Sequence, residues 1–497
     1  MKPTVLTFDI GTSSCKCALF DGQGEVLCLG RGSYSVHKFQ DGRIEQDPAE
    51  IRAGVCASLR DVIRAGWSLE GVRAIGISAQ MAAHCLVDER GMELTPIMSW
   101  MDQRAKPQMD AYNRCFSQED TARMTGMDML ITPAHTLTKM RWMHENIPQT
   151  LKKARYIVQV KDMLIHALTG RWVCDATTLK GIVDQQSKQP ISEILDFTGC
   201  LSSLIVPVGM PYETAGLLLA NVPGFEGLPA GIPVVVGWND MNAAYLGMVG
   251  LAKACTGLDL TGTSEHIGIM TQEIPKNFVC NGVNRVPFLQ GRQVCYGVTS
   301  SGGQAFDWYV KKVYAQGSST VAYRELLEDI QMVTQDKIED LIFLPYLEGE
   351  RNPWNAPGGR GVFFGLNGNH TRLDMAYAVM EGVCFALQTI LERMPMKPQS
   401  MIVAGGAARN DFWNQMKADA MQVPYRLLHT TEAGCNGAAI LAMANLQPDM
   451  TLEEIAARMT GTVKTYEPNS NKAGYYAHKY KRYVNLYRHL QADFERE

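Results

Sequence analysis

Two stretches of the chain, TVLTFDIGTSSCKCALF at residues 4–20 and ACTGLDLTGTSEHIGIM at 254–270, share one device: an apolar strand, a Gly-Thr-Ser turn and a returning strand. A device that opens each half of a 497-residue chain constrains the fold more than any single segment does. The chain is too long for one hydrophobic core. The echo therefore predicts two related α/β domains facing each other, divided at residues 1–250 and 251–497. Backbone N–H groups can approach phosphate oxygens only where no Cβ intervenes, and small hydroxyls add donors without bulk. Gly11, Thr12 and Ser13 at the first tip, and Gly262, Thr263 and Ser264 at the second, are thus candidate phosphate cradles. Asp9 precedes the first tip and is a candidate for holding Mg²⁺ through water, because a hard cation favours carboxylate oxygen and keeps part of its hydration shell.

The segment GIPVVVGWNDMNAAYLGMVG, residues 231–250, closes the first half. Val234 to Val236 read as a short buried strand, and the apolar run after Asp240 has the length and spacing of a helix. Asp240 then sits at a strand-to-helix turn, where it is expected to cap the helix and to be held ionised by the helix end. Between the two devices, Asp47, Pro48 and Glu50 start a helix with the look of a capping box, Val72 to Ser78 form a strand, and Leu86 to Met98 a hairpin turning at Arg90 and Gly91. Lys139 to Asn146 read as helical. Later, Met401 to Ala404 run as a strand into Gly405 and Gly406, with a helix beginning near Asn410. Bare backbone at such a turn suits the flat face of a base. Gly302 and Gly303 form a further glycine pair of the same kind. The 27 methionines read as core filler, and the basic aromatic tail from Tyr475 to Arg488 as a surface helix.

No Walker motif and no G-x-G-x-x-G after a strand occurs, which disfavours a P-loop or dinucleotide fold. A net charge of −4 gives no general attraction for nucleic acid or an anionic membrane. Anionic ligands must be held by local groups. The 13 cysteines are odd in number, scattered and without a C-x-x-C pair, which fits a reduced cytoplasmic protein with neither a disulfide framework nor a zinc site. No apolar run approaches the roughly 18 residues of a membrane span. A homodimer is compatible with such a chain.

With these pieces in order the chain resembles the FGGY family of carbohydrate kinases, in the actin-like ATPase superfamily. The most specific match is GVFFGLNGNHTRLDMAYAVMEG, residues 361–382, preceded by LPYLEGERNPWNAPGGRG, residues 344–361. Met375, Val379, Val383, Leu387 and Ile390 within and after it have helical spacing and read as core. A second signature fits at Lys139, Trp142, Met143, Glu145 and Asn146, with Ala134 departing from it. The resemblance implies two actin-like, ribonuclease H-like domains with a nucleotide and sugar cleft between them. It implies ATP and Mg²⁺ as cofactors, Asp240 as the catalytic base, and Asp9 with Asp240 at the metal. It implies Gly11, Thr12, Ser13, Gly262, Thr263, Ser264, Gly405, Gly406 and Asn410 on the nucleotide, with Ala407 where many relatives carry a third glycine, and the Gly302–Gly303 pair is a further nucleotide-binding candidate. Asn239 precedes Asp240 where the family usually has glycine.

The implied reaction is phosphoryl transfer from MgATP to a sugar hydroxyl, with Asp240 accepting the proton. On the acceptor side, GISAQMAAHCLVDERG and MSWMDQRA resemble xylulose-kinase-like members, which makes Gln80, Met81, Trp100, Asp102 and Asp240 the substrate residues. Glu45 to Pro48 and Arg104 match the same group. Where such relatives place a histidine after the Gln-Met pair this chain has Ala82, with His84 two residues on, read as a strand residue. A ring donor to a sugar hydroxyl is worth about 1 to 2 kcal/mol net, enough to alter preference. The acceptor expected is a ketopentose such as xylulose, with a polyol or sugar acid as the alternative. A non-catalytic nucleotide switch on the same scaffold is the competing class.

Overall fold

The computed structural model describes residues 4–275, 277–314, 320–430 and 432–495. They form two compact units, Met1–Leu251 with Glu432–Thr460, and Ala252–Thr431 with Gly461–Glu497. The segment Glu432–Thr460, which a division at residue 250 leaves in the second half, packs with the first. The reason is steric and local. A Cβ at Gly437 would collide with Ala243 O, and one at Gly247 with Ala433 O, so the helices Asp240–Val249 and Ala433–Leu446 cross at backbone contact.

The first unit is built on a seven-stranded sheet of β1 (Thr4–Ile10), β2 (Ser14–Phe20), β3 (Val26–Ser33), β4 (Val72–Ala79), β5 (Thr214–Leu217), β6 (Pro233–Val235) and β7 (Trp238–Asn239). Its order is β5-β6-β4-β1-β2-β3, with β7 also pairing β4. β1 runs antiparallel to β2 and parallel to β4, which brings Lys16 and Ser78 to either side of Asp9. The expected first hairpin and the strand at Val72 are present as read. The helix Pro48–Arg64 is capped by Asp47, whose carboxylate accepts from Ala49 N at 2.7 Å. No capping box closes there. Glu50 instead accepts from Ser35 N at 3.1 Å and bonds His37, which takes it away from the helix start. The hairpin around Gly91 is also seen, His84–Val87 pairing with Ile97–Met98 through His84 and Met98.

The second unit repeats the plan with β8 (Thr256–Thr261), β9 (Glu265–Thr271), β10 (Asn284–Pro287), β11 (Gln293–Thr299), β12 (Met401–Gly405), β13 (Tyr425–Leu428) and β14 (Thr462–Tyr466), in the order β10-β11-β9-β8-β12-β13-β14. As β1 does, β8 has an antiparallel hairpin partner on one side and a parallel strand on the other. The helix Arg372–Leu391 is apolar and long enough to cross a membrane by composition, contrary to the sequence reading. It is 83% buried over that window, which makes it the core helix of this unit. Its Val379, Val383, Leu387 and Ile390 are buried as expected, with Met375 at the edge of that face.

The terminal helix Ala473–Phe494 is not the surface element that its basic residues suggest. Tyr476, Tyr480, Tyr483 and Tyr487 recur at helical spacing and are buried. Lys479 among them is fully buried because Glu381 pairs with it at 2.5 Å. Tyrosine supplies apolar area while its hydroxyl finds a partner, as Tyr346 and Tyr483 do at 2.7 Å.

Candidate active site

In the first unit the tip of the β1–β2 hairpin is held by its own backbone and by three outside side chains. Gly11 N donates to Ser14 O at 2.9 Å, and Tyr34 OH donates to Gly11 O at 2.6 Å. Gln46 Nε2 donates to Thr12 O at 2.7 Å, and Trp100 Nε1 to Thr12 Oγ1 at 3.0 Å. Trp100 therefore stands against the tip. Gln80 Nε2 continues the chain of contacts by donating to Gln46 Oε1 at 3.0 Å. Its own Oε1 is buried with no partner among the described residues, an acceptor left over for a ligand hydroxyl.

Asp9 lies at the end of β1, where Ser78 Oγ donates to its Oδ1 at 2.8 Å. Burial raises its pKa, the Lys16 charge counters this, and Glu432 adds to it. Lys16 itself is bound to Glu432 at 2.6 Å, so it is not a full counter-ion for Asp9. A Cβ on Gly434 would lie 2.7 Å from Asp9 Oδ2, which only glycine avoids.

Asp240 is the first residue of its helix rather than the cap. Asn239 takes that role, its Oδ1 accepting from Asn242 N at 2.9 Å. The departure from glycine at position 239 thus supplies the helix start, and Asp240 Oδ1 accepts from Met241 N at 2.8 Å. The expectation that the helix end keeps Asp240 ionised is overturned. Desolvation, then the like charge of Asp9, push its pKa up to about 7, against the backbone donors and Lys180. These forces outweigh the partial charge of one helix turn.

Lys180 was not singled out by the sequence. It is partly buried with no hydrogen bond or ion pair among the described residues, and desolvation brings its pKa down to about 8 despite the Asp240 charge. Its loop is tied to the Asp240 turn by Thr177 Oγ1, which accepts from Trp238 Nε1 at 2.7 Å and Asn239 Nδ2 at 3.0 Å. The run DATTLKG, with one cation among small residues, was the only sequence signal.

The remaining acceptor-side residues divide. Met81 is partly buried in the turn after Gln80. Asp102 is fully buried and both its oxygens are engaged: Oδ2 accepts from Ile44 N at 2.8 Å, and Arg104 Nε lies 2.9 Å from Oδ1. Such a carboxylate has no lone pair to spare for a sugar, so it braces the Trp100 loop. Ala82 has φ of 62°, a conformation rare for a residue with a Cβ. Gln159 Oε1 accepts from its N–H at 2.7 Å, and Lys139 Nζ donates to its carbonyl at 2.6 Å. His84 is buried in its strand and held neutral by desolvation, with Nε2 3.0 Å from Thr136 Oγ1 and Nδ1 buried without a partner among the described residues.

A Mg²⁺ site needs one or two carboxylates, with water and phosphate completing the octahedron. Asp9 and Asp240 fit it: neither is in an ion pair among the described residues, and each is desolvated, the condition a divalent cation relieves.

In the second unit, the β8–β9 tip is laced to the 302–303 turn, Gly303 N donating to Gly262 O at 2.8 Å and Gln304 N to Thr263 O at 3.2 Å. The glycine pair after β12 is laced to the same hairpin. Thr261 Oγ1 donates to Ala404 O and accepts from Ala407 N, both at 3.0 Å. Gly405 has φ of 97°, and a Cβ there would collide with Thr261 O, whereas Gly406 faces open space. Asn410 caps the helix Asp411–Met421 through Oδ1, and its Nδ2 is buried with no partner among the described residues. The structure therefore brings Gly262, Thr263, Ser264, Gly302, Gly303, Gly405, Gly406 and Asn410 to one end of one sheet.

The model for the FGGY family of carbohydrate kinases, N-terminal domain, matches residues 4–247, and that for the C-terminal domain matches residues 260–446. The chain is 28% identical to a xylulose kinase of Escherichia coli (strain K12) over 491 residues, covering 97% of this chain and 98% of that one. Among solved structures, a ligand-bound xylulose kinase from Lactobacillus acidophilus superposes with a TM-score of 0.88 at 25% identity, over 99% of both chains. A gluconate kinase from Lactobacillus acidophilus does so at 0.87 and 25%, again over 99% of both.

Proposed function

Because this chain belongs to the FGGY family of carbohydrate kinases, we propose that it transfers the γ-phosphoryl group of ATP to a hydroxyl of a ketopentose such as xylulose. The observation that carries this reading is the pair Asp9 and Asp240. They are two desolvated carboxylates of one unit, the charge of Asp9 raising the Asp240 acid further, and neither is neutralised by an ion pair among the described residues. A nucleotide switch needs the glycine tips but no second acid.

Asp240 accepts the proton of the attacking hydroxyl. A carboxylate suffices, since the alcohol becomes acidic only late in the transfer. Lys180 keeps part of Asp240 ionised against burial and Asp9. Gln80 offers its spare Oε1 to an acceptor hydroxyl, Trp100 and Met81 wall the sugar, and Asp102 holds the Trp100 loop without touching it. On the nucleotide side, backbone N–H groups at Gly262, Thr263, Ser264, Gly302 and Gly303 take the phosphates, while Gly405, Gly406 and Asn410 take the base. The tip Gly11–Ser13 serves the transferred group. Asp9 and Asp240 would hold Mg²⁺, which supplies charge neutralisation across the phosphates. The odd, scattered cysteines support a reducing cytoplasm as the compartment.

Lys180 favours a sugar acid as second reading, because an unpaired ammonium beside the base is a ready partner for an acceptor carboxylate. An ADP-release screen over ketopentoses, polyols and sugar acids tests both. Ketopentoses are expected to give the highest kcat/KM, and a carboxylate requirement would favour the second reading. If none raises ADP release above basal hydrolysis while MgATP still binds, the kinase reading fails.

A further inference from the structure

Behind the β8–β9 tip lies a buried cluster that the mechanism above does not use. Asp259 on β8, Glu265 at the start of β9 and Lys417 on the helix Asp411–Met421 are all essentially inaccessible. Lys417 Nζ donates to Asp259 Oδ2 at 2.9 Å and also binds Glu265 Oε1. One ammonium thus serves two carboxyls, and each carboxyl keeps one buried oxygen, Asp259 Oδ1 and Glu265 Oε2, with no partner among the described residues. Two ionised carboxylates here would leave a net buried negative charge, which proteins avoid by retaining a proton.

The location gives the proton a consequence. Glu265 follows Ser264 directly, and its unpartnered Oε2 abuts the second glycine turn: a Cβ on Gly302 would lie 2.8 Å from it. Lys417 stands on the helix capped by Asn410, so the cluster ties the phosphate tip to the segment assigned to the base. The other groups facing it are Cys384 on the helix Arg372–Leu391 and Tyr425 on β13, both pushed up by burial and so neutral. Its cross-strand neighbour on β11, Thr299, is uncharged and donates to the buried Glu350 at 2.9 Å.

We propose that Glu265 is a positioning residue for the nucleotide: it retains a proton beneath the Gly262–Ser264 tip, and loss of that proton puts a negative charge behind the phosphates. This rests on the reading of that tip as a phosphate cradle. Desolvation and the like charge of Asp259, opposed by Lys417, hold the Glu265 carboxyl well above the ordinary carboxylate range. Bound phosphates raise it further, so binding keeps the proton and affinity falls as pH rises through its titration.

The test is the Kd of MgATP without acceptor, at pH 7 and pH 9, for the full chain and for Glu265→Gln, Lys417→Met and Thr263→Ala. For the unmodified protein Kd should rise by up to about tenfold across that interval, the ceiling for one group that titrates midway through it. Glu265→Gln should be flat. Lys417→Met should move the rise above pH 9, because the ammonium that favours ionisation is gone, and it serves if the glutamine variant does not fold. A Glu265→Gln protein with the parental rise, or a parental Kd that does not change while Thr263→Ala weakens binding, overturns the proposal. Thr263→Ala without effect on Kd at pH 7 would instead remove the cradle reading on which it rests.

Discussion

Replacing Asp240 by asparagine is expected to make the protein inactive and more stable at once. The acid is raised from 3.8 to about 7 in the folded state. At about 1.4 kcal/mol per pH unit this corresponds to about 4 kcal/mol against the folded, ionised form, an upper bound because the side chain is partly exposed. About 2 kcal/mol is a realistic share. The sign follows from proton binding. The folded state holds the proton more tightly than the unfolded chain, so there is no penalty below pH 4, and the penalty grows as pH rises toward 7 and is constant beyond. Asparagine keeps the acceptor for Met241 N, and the cap belongs to Asn239, so the helix start is unaffected. Thermal unfolding in EDTA at pH 8 should therefore show Asp240→Asn melting several degrees higher, at about 2 °C per kcal/mol, with the difference vanishing near pH 4. Sugar-dependent ADP release should fall by about 10² to 10⁴, the usual worth of a general base. The Kd of ATP measured without metal should stay within about threefold, since the nucleotide cradles are untouched. A variant that melts lower at pH 8, or one that keeps full turnover, refutes the reasoning.

Three further outcomes are expected. Asp9→Asn should raise the Mg²⁺ concentration for half-maximal turnover by at least about tenfold, since one of two hard ligands is lost, and an unchanged metal titration would remove Asp9 from the site. Gly434→Ala should lower kcat without unfolding the chain, because alanine suits a helix but its Cβ would meet Asp9 Oδ2; a kcat equal to that of the parent would show that Asp9 has room to move. Ala82→Gly should stabilise the protein by about 1 kcal/mol in denaturant titration, by relieving a left-handed φ, and a lower midpoint would mean that the methyl group's contacts outweigh the strain.

Local chemistry made a large part of this protein legible before any coordinates. A glycine-tipped hairpin needs residues of fixed type at fixed spacing, so both tips, the Gly405–Gly406 turn and the Asp240 strand-to-helix junction stand in the sequence itself. Family-specific runs such as residues 361–382 added the reaction class. The state and company of those residues depended on what packs around them. Asn239 displaced Asp240 from the cap, and burial beside Asp9 overturned its expected ionisation. Asp102, matched as a substrate residue, turned out sealed by Ile44 and Arg104, and four tyrosines drew a basic tail into the core. Glu432–Thr460 returned to the first unit through glycines that permit backbone contact at long sequence separation. Sequence fixes short-range geometry because the turn and its residues are neighbours. Desolvation, like-charge pressure and shared counter-ions arise between residues far apart in sequence, as with Lys417, 158 positions from Asp259 and 152 from Glu265, and only the folded chain brings them together.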